Sequence, residues 1–194
     1  MPLAAAISKV KPQISNIKIP LLLTSRLLLR PWHPSDLPAM ATINASPAVM
    51  RYFPSTQTAE QTQAFITRQI AQQQERGYCY FAAETRHDAR LVGFIGLSYQ
   101  DYAAPFTPAV DIGWRLHPDV WRQGLATEGA RACLDFAFTK LHVDRVVSVA
   151  ILQNTPSTGV MEKIGMRRMG EFDHPALVDY PEIQRCVWHE KGKG

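Results

Sequence analysis

The chain has 194 residues, 46% of them hydrophobic and 20% charged, with a formal net charge of +4. That balance fits one globular domain with a substantial core and excludes a low-complexity or extended chain. The positive charges are dispersed, with no lysine-arginine block, so an anionic small ligand is favoured and nucleic acid is not specifically indicated.

The first segment, Met1 to Thr24, differs in composition from the rest of the chain. Its apolar run Ala4 to Ile7 is short, Lys9 and Lys11 come after it, and Pro2, Pro12 and Pro20 interrupt any helix. A secretory signal needs basic residues first and a longer apolar run, so none is expected, and no window reaches the length of a membrane span. Residues 1–24 are read as a tail or edge-packing arm, and residues 25–194 as one domain. The three cysteines, Cys79, Cys133 and Cys186, form no CxxC pair, which suits buried thiols in a reducing cytoplasm.

The domain is expected to begin with a short strand, Arg26 to Arg30, closed by Pro31. Ser35-Asp36 then starts a helix with Leu37, Met40 and Ile43 on one face. A second helix spans about Thr58 to Arg76 and stops at Gly77. Tyr78–Ala83 and Leu91–Leu97 read as strands joined by the polar turn Arg86 to Ala89, so the sheet is at least partly antiparallel. Pro105 and Pro108 bracket a loop before the strand Val110–Leu116, and a core-packed helix runs from Leu125 to Leu141. Arg145–Ile151 reads as a central strand. Thr155-Pro156 opens a short helix ending at Gly165, and Met166–Phe172 and Gln184–His189 complete the strands around an irregular connection, Asp173 to Glu182. Hairpin strands followed by strand–helix–strand indicate an α/β (α+β) domain with one mixed, mostly antiparallel sheet.

Between the strand at Val110 and the helix at Leu125 lies Trp121-Arg122-Gln123-Gly124-Leu125-Ala126-Thr127-Glu128. A helix entrance exposes unpaired N–H groups and the positive end of the helix dipole, which suits a phosphate. Gly124 lets a ligand approach the main chain, and Arg122 adds a fixed positive charge. The stretch reads as a diphosphate cradle, although a glycine before a helix also serves as a plain turn residue. There is no G-x-x-x-x-G-K-[ST] and no G-x-G-x-x-G, so neither a triphosphate loop nor a dinucleotide fold is indicated. The six histidines show no close ligand spacing, so no metal is expected, and no G-x-S-x-G accompanies them.

From Thr24 onward the chain resembles the GNAT superfamily of acyl-CoA N-acyltransferases, in the branch of the ribosomal-protein N-terminal acetyltransferases. The resemblance rests on Ser25 to Trp32, Asp111 to Leu116, Trp121 to Glu128, and Asn154 to Ser157 running into Met161 to Met166, in that order. It implies a sheet splayed into a V-shaped acetyl-CoA site between the strands at Val110 and Arg145, with helices on both faces. Main-chain amides of Arg122, Gln123, Gly124, Leu125, Ala126 and Thr127 would hold the pyrophosphate, and Asn154 and Ser157 would lie near the pantetheine and thioester. The implied partners are acetyl-CoA and an amine acceptor, either a small molecule or a protein N-terminus.

An amine is protonated at neutral pH, so attack on a thioester needs a base, and the departing thiolate must be protonated or tolerated. Asp111 is the candidate base, directly or through a water. The family more often has glutamate there, and a surface aspartate is the competing reading. Many relatives carry a tyrosine acid where this chain has Met161; Ser157, one helical turn back, is the candidate donor, and a helix-start or cofactor hydrogen bond is its other role. The amide of Leu116 or a neighbour would polarise the thioester carbonyl. In relatives the region of Asp173-His174-Pro175 and Tyr180 lies near the acceptor side, and Trp32, Tyr52, Phe53 and Trp114 either meet an acceptor or pack the core. An N-acetyltransferase acting by direct attack is expected, with a non-catalytic acyl-CoA sensor and an anion- or nucleotide-binding module of another family as alternatives.

Overall fold

In the computed structural model, which describes residues 21–193, the apolar runs of the sequence become strands of one sheet. In chain order these are β1 (Leu22–Leu23), β2 (Leu27–Arg30), β3 (Tyr80–Thr85), β4 (Leu91–Gln100), β5 (Ala109–Leu116), β6 (Arg145–Ile151), β7 (Arg167–Asp173) and β8 (Arg185–Gly192). The order across the sheet is β1-β2-β3-β4-β5-β6-β8-β7. Every neighbouring pair is antiparallel except β5 and β6. The helices are α1 (Leu37–Asn44), α2 (Pro47–Met50), α3 (Ala59–Arg76), α4 (Leu125–Thr139), α5 (Thr155–Lys163) and α6 (Pro181–Gln184).

α3 forms because Thr58 and Gln61 make a reciprocal cap at its start, and it ends where Gly77 turns left-handed with φ 77°. Phe65 on α3 joins an aromatic row on one face of the sheet, with Trp32 at 5.7 Å, Phe94 at 5.2 Å and Tyr80 beyond Phe94 at 5.1 Å. On the other face α4 buries Leu125, Cys133, Leu134, Phe136 and Ala137. It approaches so closely at Gly129 that an added Cβ would lie 2.5 Å from Ile95 Cδ1. A second, smaller core gathers Phe106, Val147, Ile151 and Phe172 at the β6–β8–β7 end.

Several boundaries differ from the sequence reading, each for a local reason. The strand expected from Tyr78 starts at Tyr80, whose N–H donates to Gln69 Oε1 at 2.9 Å. β4 runs on to Gln100 because β5 offers a partner as far as Ala109. The α4 helix stops at Thr139, and the chain turns through His142 at φ 55°. The connection read as irregular holds a 3-10 turn, Pro175–Leu177, and α6. Of the segment read as an arm, residues 1–20 lie outside the described residues. Leu22 and Leu23 pair with Leu29 and Leu28, so the sheet reaches back across position 24.

The turn into α1 is fixed by a charged knot. Arg30 grips Asp36 through two bonds of 2.8 Å and reaches Glu84 at 2.8 Å, while His33 N–H donates to Asp36 Oδ2 at 2.8 Å. Burial by itself would raise the Asp36 carboxyl, but Arg30 and the His33 amide outweigh it and hold it below the usual range. Asp36→Asn would leave a partly buried guanidinium half-paired at a cost of roughly 1–2 kcal/mol. In urea unfolding the midpoint is expected to fall with an unchanged slope, and a midpoint equal to wild type would mean the knot contributes nothing.

Candidate active site

The sheet is held together across its middle by a short parallel ladder. β5 and β6 pair only at Val110↔Val146 and Asp111↔Val147, after which β5 continues to Leu116 and β6 to Ile151 without pairing. The two strands therefore diverge into a V that opens at their C-terminal ends, where the loops into α4 and α5 begin. Ser148 Oγ donates to Ile112 O at 2.8 Å and pins the vertex.

The ladder register determines which main-chain groups face this opening. His117 N–H donates to Val92 O at 2.8 Å, and Arg115, Gly113 and Asp111 stand opposite Phe94, Gly96 and Ser98. Bonding alternates along an antiparallel pair, so these three turn their peptide groups to β4, and Ile112, Trp114 and Leu116 turn theirs toward β6. The bonds received by Ile112 O and by Leu116 O, the latter from Trp121 Nε1 at 2.7 Å, obey that rule. Beyond the last rung, the main-chain groups of Trp114 and the N–H of Leu116 thus present a free strand edge, to which the amides of an extended pantetheine arm can pair.

At the wide end, the loop before α4 is bent by two left-handed residues, Arg122 at φ 61° and Gly124 at φ 81°. α4 has no side-chain cap, and its first turn closes from Glu128 N–H to Gly124 O at 3.0 Å. The N–H groups of Leu125, Ala126 and Thr127 thus lack an intrahelical acceptor. A Cβ on Gly124 would meet only Arg26 Nη2, at 3.6 Å, so the loop surface is bare main chain there. Uncapped amides, a helix dipole and a bare approach fit a diphosphate.

The loop is anchored from behind by residues to which the sequence alone assigns no role. Glu128, on the first turn of α4, accepts from Thr24 Oγ1 at 2.6 Å and from the Arg26 amide at 2.8 Å. It also accepts from Arg26 Nε at 2.7 Å, while Arg26 Nη1 donates to Gln123 O at 2.9 Å. Burial would raise the Glu128 carboxyl, yet the bonds from Thr24 and Arg26 draw it down to about 2. The β1–β2 turn and the cradle therefore move as one unit.

At the vertex, Asp111 is only 8% exposed. Burial pushes its carboxyl up to about 7 against the opposing pull of a hydrogen bond from the Tyr80 hydroxyl. Tyr80 can lie there because position 113 is glycine: a Cβ would stand 3.1 Å from Tyr80 Cε1. The sequence marks Tyr80 only as a strand residue, and Gly113 inside the apolar strand is the signal in it that a neighbouring side chain needs the space there. Tyr102 also feels the Asp111 charge, and its ring packs on His174 at 4.6 Å. His174 packs between Tyr102 and Phe172, and Phe53 and Tyr180 remain about two-fifths exposed. Trp32 is buried in the core.

On the β6 side, Asn154 caps α5 by accepting from Ser157 N–H at 3.2 Å. The Ser157 hydroxyl has no hydrogen-bond partner among the described residues. Met161 is 1% exposed and belongs to the core. Among the described residues no cluster of metal-ligating side chains occurs, and no helix is long and apolar enough to cross a membrane.

A model of the acetyltransferase (GNAT) domain matches residues 26–167. The uncharacterized N-acetyltransferase YnaD of Bacillus subtilis is 32% identical over 150 residues, covering 77% of this chain and 84% of its own. A GNAT-family acetyltransferase structure from Bacillus anthracis superposes with a TM-score of 0.74 at 27% identity, over 89% of this chain and 98% of that one. The ribosomal L7/L12 alpha-N-protein acetyltransferase RimL, solved in complex with coenzyme A, shares the fold with a TM-score of 0.71 at 18% identity, over 90% and 97% of the two chains. The chain belongs to the GNAT acetyltransferase family, whose members draw the acetyl group from acetyl-CoA.

The Glu128 anchor carries a pH signature. A carboxyl held at about 2 in the fold but ordinary when unfolded contributes stability that is complete above about 5 and lost as pH falls toward 2. Glu128→Gln is expected to cost roughly 1 kcal/mol at pH 7, since Arg26 is half exposed, and to flatten the acid limb of the stability curve. Matching acid limbs in the two proteins would show that the carboxylate is not held by this network.

Proposed function

We propose that this acetyltransferase moves the acetyl group of acetyl-CoA to a primary amine by direct attack, with Asp111 as the base. The observation that carries this is a nearly buried carboxyl, raised to about 7, standing at the vertex of the V with one neutral hydrogen-bond donor. A base of that strength is half ionised at neutral pH and can take a proton from an incoming ammonium. Its short arm reaches the amine directly or through one water. Asp111 takes one of the two protons that the ammonium loses on becoming an amide; the N–C bond forms as the C–S bond breaks, and the second proton leaves with the thiolate as CoA–SH.

The Arg122–Thr127 loop would hold the pyrophosphate, with Asn154 and Ser157 beside the pantetheine. The N–H of Leu116 or its neighbour Trp114 would polarise the thioester carbonyl. The Ser157 hydroxyl would donate toward the departing thiolate, in place of the tyrosine that Met161 replaces. Burial pushes the thiols of Cys79, Cys133 and Cys186 up, so none is a ready nucleophile, in line with transfer without an acyl-enzyme. Three buried thiols also fit a cytoplasmic setting. A small amine or a protein N-terminus are the acceptor classes.

Thiol release from acetyl-CoA in the presence of an amine panel tests the reaction, and calorimetry with CoA tests the cradle. Gly124→Trp is expected to remove CoA binding. Asp111→Asn should retain it and lower kcat/KM by about 10²–10⁴-fold. The wild-type profile of kcat/KM should rise through an apparent pKa near 7 that the variant lacks. The folded state holds the Asp111 proton between about 4 and 7, where the unfolded chain has released it, so wild-type stability falls as pH rises across that interval. Asp111→Asn should remove that decline. Equal turnover of variant and wild type across pH would sink the assignment, and CoA binding without thiol release from any amine would favour the sensor.

A further inference from the structure

Arg115 is a largely buried cation that the proposed transfer chemistry does not use. It leaves β5 on the sheet face that carries Asp111 and Gly113, and the Tyr80 ring lies over Gly113 between them. The Tyr80 phenol hydrogen-bonds Asp111. The guanidinium carbon stands 4.4 Å from the centre of the Phe53 ring and 5.4 Å from that of Phe94.

A guanidinium has five N–H donors. Among the described residues Arg115 finds one acceptor, the neutral Asn44 Oδ1, at 2.7 Å from Nη1. That acceptor is itself fixed, since Asn44 is fully buried and its Nδ2 donates to Thr62 Oγ1 at 3.0 Å. The Arg115 Nε is buried with no partner. Several other partly buried or exposed arginines pair with acids: Arg26 with Glu128, Arg30 with Asp36 and Glu84, Arg145 with Glu190, Arg185 with Glu171 and Asp173. Arg115 has no carboxylate within ion-pair distance among the described residues, and the cost of burying an unpaired cation is several kcal/mol. Its outer wall is Phe53, 41% exposed, on the stretch between α2 and α3.

We propose that Arg115 recognises the acceptor: the amine substrate carries a carboxylate a few bonds from its nitrogen, which the guanidinium grips while Phe53 shields the pair and the amine turns toward Asp111. This rests on the acetyltransfer reading of the site. A guanidinium is matched to a carboxylate by its planar fork, and stacking on an aromatic ring leaves its edge free for that contact. The same charge repels an acceptor bearing further ammonium groups, so a polyamine is disfavoured. Free amino acids and peptides that begin with an acidic residue share the required chemistry.

Matched acceptors separate these sources. Glycine, L-glutamate and L-aspartate are compared with their α-amides, and tripeptide amides beginning with Glu or Asp with those beginning with Gln or Asn. The wild type is expected to prefer the carboxylate member at least tenfold in kcat/KM in one of the two series, chiefly through KM. Arg115→Gln should bring that ratio close to one, and Arg115→Lys should keep part of it. Calorimetry on the CoA-saturated protein should show the carboxylate acceptor binding to wild type and not to Arg115→Gln.

Equal use of both members in both series overturns the proposal, as does an Arg115→Gln variant that slows both members by one factor. Should that variant not fold, the wild-type ratio and Arg115→Lys decide. Carboxylate binding without thiol release would keep the Arg115 site and overturn Asp111 chemistry; thiol release without carboxylate preference would do the reverse.

Discussion

The arrangement of this domain depends on how little holds β5 to β6. Two parallel rungs and the Ser148–Ile112 bond join strands that are otherwise committed elsewhere, β5 to β4 over eight residue pairs and β6 to β8 over seven. Because each strand has a complete antiparallel partner on its outer side, divergence on the inner side leaves main-chain groups without a strand partner, on β5 those of Trp114 and the N–H of Leu116. Unpaired strand groups are costly when buried and useful when a ligand supplies the missing pairing. The opening is thus a main-chain site before any side chain is considered, and the helices after β5 and β6 bring their uncapped or lightly capped N-termini to its rim.

Two carboxylates near this opening have opposite characters, and their neighbours explain why. Glu128 receives bonds from a hydroxyl, an amide and a guanidinium, which stabilise its charge and make it a rivet between the β1–β2 turn and α4. Asp111 receives one bond from a phenol and is otherwise enclosed, so its charge is disfavoured. One holds the loop, and the other is the base of the proposed reaction. The proposed division between an anchor and a base follows from the number and charge of the donors around each.

Much of this was legible in the sequence because it is local. The helix start near Thr58, the Gly77 stop, the Thr155-Pro156 start of α5 and the Gly124 entrance to α4 each depend on a few adjacent residues; the Asn154 cap of α5 lies one residue before the start read there. What was not legible depends on distance along the chain. Tyr80 and Asp111 are thirty-one residues apart, and Glu128 reaches back more than a hundred residues to Thr24 and Arg26. Asp111 stands in an alternating strand, and alternation reads as a solvent-facing polar position; on that face Tyr80 lies against it and α3 reaches Ser98 opposite it through Gln72, and the residue is buried. Leu22 and Leu23 are too few to register as a strand, and only the hairpin to Leu28 and Leu29 makes them one.

The two faces of the sheet have different tasks. Toward α4 stand Ile95, Leu97 and Ile112, side chains that fit by volume alone. Toward α1 and α3, the same strands carry Tyr80, Ser98, Asp111 and Arg115, whose burial is only partly compensated by hydrogen bonds. A fold selected for stability alone would make both faces alike, since an apolar side chain at position 111 or 115 would remove a desolvation cost. The apolar face, α4 and the charged knot at Arg30 supply the stability that lets the other face keep groups poised for a ligand. This division also explains why glycine stands at 113: on the face where chemistry is proposed, the sheet needs room for the Tyr80 ring more than it needs a further side chain to pack, whereas Gly96 is required by the main chain entering β3, where a Cβ would meet the Cys79 carbonyl oxygen at 2.2 Å.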